Sequence, residues 1–211
     1  MDYISEIKAL AQEGLRSDPT YQIFGANFHR WQFAETADMR TVREFEKEMN
    51  ITLPESFVRY LTELGNGGAG PYCGIYSLEK MRERNPFIFE TSKMPVMLDH
   101  SMTDEQWAKF AEKYEELDDI ISTDIFDEKT EEQQKAILDE QTNMELAMCA
   151  GGIFIGTRGC TMNYILMCRG AAAGEVFLVD FDYIFALRSE PYCYGKFEDW
   201  VIKEMRNSLG L

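Results

Sequence analysis

The sequence predicts an α+β fold: a small antiparallel sheet flanked by helices, with an acidic helical segment in mid-chain. Three observations predict it. Helix-period apolar patterns fill most of the first 150 residues. Three strand-like runs, GGIFIGTRGC, MNYILMCRG and GEVFLVDFD, follow one another late in the chain, separated by glycine-bearing turns. Helices and strands are segregated rather than alternating, which argues against repeated βαβ units.

In chain order, Ile4, Ile7, Leu10 and Ala11 give residues 3–15 one apolar helical side. Phe24 to Phe33 is aromatic-rich but broken by Gly25 and Asn27, and reads as irregular. Thr41-x-x-Glu44 is a cap signal for a helix carrying Val42, Phe45 and Met49. Leu53-Pro54 stops that helix, because a residue before proline avoids the α region; Pro54 then suits the first position of the next. Phe57, Tyr60, Leu61 and Leu64 are that helix's buried face, and Gly65 ends it. Gly67, Gly68 and Gly70 make a tight turn leading into a strand from Tyr72 to Leu78. Thr103-x-x-Gln106 and Thr130-x-x-Gln133 read as capping boxes of two amphipathic helices, 103–119 and 131–148. Trp107, Phe110, Ala111, Tyr114 and Leu117 line the first; Ile137, Gln141, Met144 and Met148 line the second. Ile120, Ile121, Ile125 and Phe126 are expected to anchor the connection. The three strands form an antiparallel meander turning at Arg158-Gly159 and at Arg169-Gly170 through Gly174. Phe197, Trp200, Val201 and Met205 mark a closing helix.

The 211 residues carry a formal net charge of −16. Such a surface repels phosphate backbones and anionic headgroups, which argues against nucleic-acid and membrane partners and for a basic one. The charge is concentrated. Residues 99–145 hold 16 acidic and 4 basic residues, a net of −12, leaving −4 for the rest. Charge on an amphipathic helix often serves solubility alone, and it is this concentration that suggests more. No apolar run approaches the ~20 residues a membrane span needs, and the N-terminus lacks a signal-peptide pattern. Five widely spaced cysteines without a C-x-x-C are expected to be reduced, as in the cytoplasm.

Local motifs point to no chemistry. Gly65-Asn66-Gly67-Gly68-Ala69-Gly70 matches G-x-G-x-x-G, but it follows a helix and precedes a strand, the wrong context for a dinucleotide. His29 and His100 lack zinc-helix spacing, so no metal site and no cofactor are expected. Cys160, after the turn T-R-G, lacks a base and is expected to be a strand-end thiol packed inward. Asp180-Phe181-Asp182 places two carboxylates on one strand face, more simply a solvent-facing edge than a paired acid and base.

Residues 24–79 carry a family pattern: F-G-A-N-F-H-R-W, then L-P-E-S-F, an aromatic helix, and N-G-G-A-G-P-Y-C-G from Asn66 to Gly74. I-G-T-R-G-C-T, R-G-A-A-A-G-E-V-F and a final F-E-D-W follow. The sequence resembles the SUKH superfamily, the group of fungal Smi/Knr-type cell-wall-assembly regulators and their bacterial relatives. The likeness covers residues 20–80 and 145–205; a bulky aromatic usual in the family is replaced by Cys73. It implies one SUKH-like domain over 1–211 with an insertion at about 82–145 holding the acidic helices. Pro54, Asn66, Gly67, Gly68, Gly70, Pro71, Tyr72, Gly74, Gly159 and Cys160 fall on the family pattern, and backbone geometry is their expected role. The resemblance carries no catalytic residues. It implies a bacterial immunity protein that neutralises a cognate toxin, many such toxins being nucleases. Glu112, Glu115, Glu116, Asp118, Asp119, Asp124 and Asp127 are the expected contacts to a basic toxin, with Trp107 in the core or as an anchor. The alternatives are a Smi/Knr-type intracellular interaction module without a toxin, and a small-ligand binder or enzyme using Asp180 and Asp182 or a pocket near His29 and Trp31.

Overall fold

The computed structural model describes residues 2–180 and 189–211. The helices are α1 (Tyr3–Ser17), α2 (Ala26–His29), α3 (Met39–Met49), α4 (Glu55–Arg59), α5 (Leu78–Arg84) and α6 (Ile88–Thr91). They continue as α7 (Asp104–Ile121), α8 (Asp124–Asp127), α9 (Glu131–Cys149) and α10 (Phe197–Leu209). The strands are β1 (Gly152–Gly159), β2 (Met162–Met167), β3 (Glu175–Asp180) and β4 (Tyr192–Lys196). They pair antiparallel in the order β1-β2-β3-β4. The α+β class and the meander are as expected, while β4 was not anticipated: Y-C-Y-G-K carries no apolar alternation and begins right after Pro191.

Both faces of the sheet are covered. Ile153, Ile155, Tyr164, Leu166 and Val176 pack into the main core with α1, α3, α4 and α10; Phe57 and Phe197 meet edge-to-face at 5.0 Å, and Tyr164 lies 4.7 Å from Trp200. The alternate residues Ile165, Met167, Phe177 and Val179 join Leu98, Trp107, Ala111 and Met148 in a second core. The side-chain period of two sends neighbours to opposite faces. The unbroken runs Y-I-L-M and V-F-L-V therefore fit a sheet buried on two sides, and the acidic helices supply its second cover.

Four local expectations are corrected. Helix α3 starts at Met39 because Asp38 caps it, its carboxylate accepting the Thr41 amide at 2.7 Å; Thr41 is the third helical residue and no cap. Pro54 occupies the cap of α4, not its first position, and its carbonyl accepts from Phe57 and Val58. Residues 72–78 do not form a strand: Tyr72 and Gly74 both take positive φ, leaving Ile75 with single bridges to Gly68 and Gly156, and Ser77 caps α5. Ile125 is 53% exposed and anchors nothing, whereas Ile120, Ile121 and Phe126 are half-buried. Helix α4 runs on into a π turn at Tyr60–Leu64 that ends at Gly65, whose amide donates to the Tyr60 carbonyl. Gly65 does end the helix, but in extended backbone (φ 174°) that needs no glycine.

Candidate functional site

Helices α7 and α9 pair antiparallel. The Tyr114 hydroxyl donates to Glu145 at 2.8 Å, Gln141 to Asp118 at 3.3 Å, and Lys113 lies 3.4 Å from Glu140. Both capping boxes form as read, with Thr103 and Thr130 accepting from Gln106 and Gln133 and each glutamine reaching back to the cap amide. Between the helices Leu117 is buried; toward the sheet Trp107 is only 2% exposed, which makes it core and rules it out as a docking anchor. The apolar stripe of α9 is shallow: Ile137, Gln141 and Met144 are half-buried and only Met148 is buried.

The pairing aims the carboxylates outward. Glu112, Glu116, Asp118, Asp119, Asp124 and Asp127 are exposed, and Glu115 is half-buried. Glu116, Asp118 and Asp119 sit near the C-terminus of α7, whose last turn holds no basic residue. That end carries the negative pole of the helix dipole, so each exposed anion there is unfavourable by about 0.3–1 kcal/mol at low salt. Lys109 pairs with Glu105 in the first turn, and Lys113 with Glu140, so neither offsets the distal cluster.

The family-pattern residues from Asn66 to Gly74 sit in a turn where backbones approach closely. Gly68 has φ +115°, and a Cβ there would meet the Gln32 carbonyl oxygen at 2.4 Å; Gly74 has φ +85° and would meet the Gly68 oxygen at 2.4 Å. Gly67 and Gly159 also take positive φ, but Gly70 does not, being small only because Ile75 packs on it. The Asn66 side chain accepts the Leu78 amide at 2.9 Å, and the Pro71 carbonyl accepts from Gly74. Tyr72 exceeds a backbone role: its hydroxyl donates to the buried Glu204 at 3.1 Å, and Arg158 stacks on its ring at 4.8 Å. Cys160 is corrected: it is exposed, at φ +49° in the β1–β2 turn, and does not pack inward.

Among the described residues, the remaining candidates hold no assembled reactive group. His29 and Trp31 are buried, with rings edge-to-face at 5.1 Å, in filled core rather than a pocket. Asp180 accepts from the Thr161 hydroxyl at 2.6 Å, and Asp182 lies outside the described residues. An open groove of about 580 Å³ between α3, α6 and the β1–β2 pair includes Cys168 and Arg169. Burial pushes the Cys168 thiol up to about 12, so it stays protonated, and Arg169 is committed to the Thr91 and Met94 carbonyls. The five cysteines form no disulfide, and among the described residues no helix is long and apolar enough to cross a membrane.

His100 was not expected to meet a cysteine. The fold brings it to Glu175 and Cys193, from three segments that sequence spacing does not connect.

Residues 36–203 match the family model described as the SMI1/KNR4 family (SUKH-1). No curated protein and no solved structure matches the chain.

Proposed function

The chain belongs to the SMI1/KNR4 family (SUKH-1), and we propose that it is an immunity-type protein that binds and neutralises a cognate toxin domain. We read residues 1–211 as one unit working in the cytoplasm without catalysis. The supporting observation is the set of outward carboxylates on the α7–α8–α9 hairpin, two of which, Asp118 and Asp119, sit in the last turn of α7 where they oppose its dipole. Solubility alone does not require anions at that position, and a cationic partner would gain from them. A nuclease cleft is basic because it binds phosphates, so an acidic hairpin complements it and speeds encounter. Glu112, Glu116, Asp118, Asp119, Asp124 and Asp127 are the proposed contacts, with Glu115 contributing less because it is half-buried.

Family membership equally favours a second reading, a Smi/Knr-type interaction module without a toxin. The products of the genes adjacent to this chain's gene, assayed as toxin targets, separate the two. The expected result is inhibition at one-to-one stoichiometry, with association slowing several-fold between low and physiological salt. The combined variant E112Q/E116Q/D119N/D124N/D127N is expected to lose most of that rate while staying folded. Full inhibition by this variant, at a salt-independent rate, would sink the electrostatic docking face; absence of any toxin target would favour the second reading.

A further inference from the structure

We propose that His100, Glu175 and Cys193 form a zinc-binding site, with Glu190 as the positioning residue for His100. The inference stands apart from the toxin-binding reading. Glu175 and Cys193 come from neighbouring strands: Glu175 faces Lys196 and Phe177 faces Cys193 in the β3–β4 register, which puts both ligands on one side of the sheet. His100 approaches from the segment before α7. Its Nε2 lies 2.9 Å from Glu175 Oε2, Cys193 Sγ lies 3.4 Å from the same oxygen, and all three donor atoms fall within 4.8 Å of one another. Zinc bonded at about 2.0–2.3 Å to N, O and S donors needs only a small rearrangement of such a set. The mixture of imidazole, thiolate and carboxylate suits zinc over the oxygen-seeking magnesium and calcium.

The surroundings are those of a ligand set. Glu190 Oε2 lies 2.8 Å from His100 Nδ1, and its other oxygen accepts the His100 backbone amide at 3.0 Å. A carboxylate on Nδ1 turns Nε2 toward a metal and raises its basicity. The Gly195 amide donates to Cys193 Sγ at 3.4 Å; burial and the neighbouring Glu175 outweigh that bond and push the thiol up to about 11, so the metal itself would have to displace the proton. Lys196 Nζ lies 3.2 Å from Glu175 Oε1 and also donates to the Ala173 carbonyl, so it competes electrostatically at Oε1, while Oε2 takes the His100 and Cys193 contacts that zinc would replace. Three protein donors leave a fourth position for water. On binding, the Sγ proton and the Nε2 proton of His100 leave to solvent. Zinc would then tie the entry of α7 to strands β3 and β4, locking the acidic hairpin to the sheet it covers.

The test uses the full chain titrated with Co²⁺ as a spectroscopic stand-in for Zn²⁺. The expected result is one equivalent bound, a thiolate-to-cobalt charge-transfer band in the near ultraviolet, and displacement by zinc. Cys193→Ser and His100→Ala are expected to abolish the band, Cys160→Ser to keep it, and Glu190→Gln to weaken binding by about 10–100-fold. Circular dichroism reports whether each variant is folded. His100 is half-exposed, so His100→Ala decides the matter even where Cys193→Ser does not fold. A missing band in the unmodified chain, a band that survives His100→Ala or Cys193→Ser in a folded variant, or one lost with Cys160 would overturn the site.

Discussion

His29 shows how one residue makes the fold pH-sensitive. Its Nδ1 accepts the Trp31 amide at 2.9 Å, so the neutral tautomer carries its proton on Nε2, which donates to the Tyr72 carbonyl at 3.2 Å. A second proton has no place on Nδ1. Burial pushes the imidazole down from its ordinary value near 6.5, outweighing the Tyr72 bond and the nearby Asp18 charge. Asp18 itself is held below the usual carboxylate range: burial opposes its ionisation, but the bonds from Gln22, Trp31 and Ile23 prevail. A depressed folded-state value means that the unfolded chain binds the proton more readily. The stability due to neutral His29 is thus complete above pH 6.5 and is lost as pH falls toward the folded-state value. Urea unfolding between pH 7.5 and 5 is expected to show stability declining by up to about 1.4 kcal/mol per pH unit from this group. His29→Asn, which cannot protonate, is expected to flatten that part of the profile; an unchanged slope would refute the assignment.

At the scale of elements, α7 combines a well-formed start with an unfavourable end. Its capping box and the acidic residues Asp104 and Glu105 complement the positive N-terminal pole. The opposite end reverses the sign, with Asp118 and Asp119 in the last turn, at the negative pole. Asp119→Lys is therefore expected to stabilise the chain by about 0.5–2 kcal/mol at low salt, since it removes one repulsion and adds one attraction. Thermal unfolding at two ionic strengths measures this, and the gain should shrink as salt rises. The same substitution is expected to slow docking to a basic partner. Opposite signs in the two assays separate a functional charge from a structural one.

The sheet ties the whole molecule together. A small antiparallel meander can leave one face to water; here the second face carries Ile165, Met167, Phe177 and Val179 against Trp107, Ala111 and Met148. The acidic hairpin is accordingly part of the core as well as a surface. Replacing residues 104–148 by a short Gly/Ser linker is expected to expose that face, with hydrophobic-dye binding and self-association in gel filtration. The charge-neutralised variant, which leaves those contacts intact, should elute as the unmodified chain does. A well-behaved deletion variant would show that the hairpin is dispensable to the fold.

Much of this was legible residue by residue. The two capping boxes, the apolar stripe of α7, the meander and the closing helix follow from periodicity and local hydrogen-bonding capacity, which act within a few residues. The reading failed where the competing signal lay nearby but weighed differently. Asp38 displaced Thr41 as cap, and positive φ at Tyr72 and Gly74 broke a strand-like run. Composition and spacing alone settled the fold class, the −12 concentration in residues 99–145 and the longest helices, α1, α7 and α9, because these depend on local chain chemistry. Folding in three dimensions decided that the acidic helices cover a sheet face, that Trp107 is core, that Cys160 is exposed, and that His100 meets Glu175 and Cys193 across 75 and 93 positions of chain. Those outcomes depend on which distant surfaces bury one another, and local periodicity carries no record of that choice.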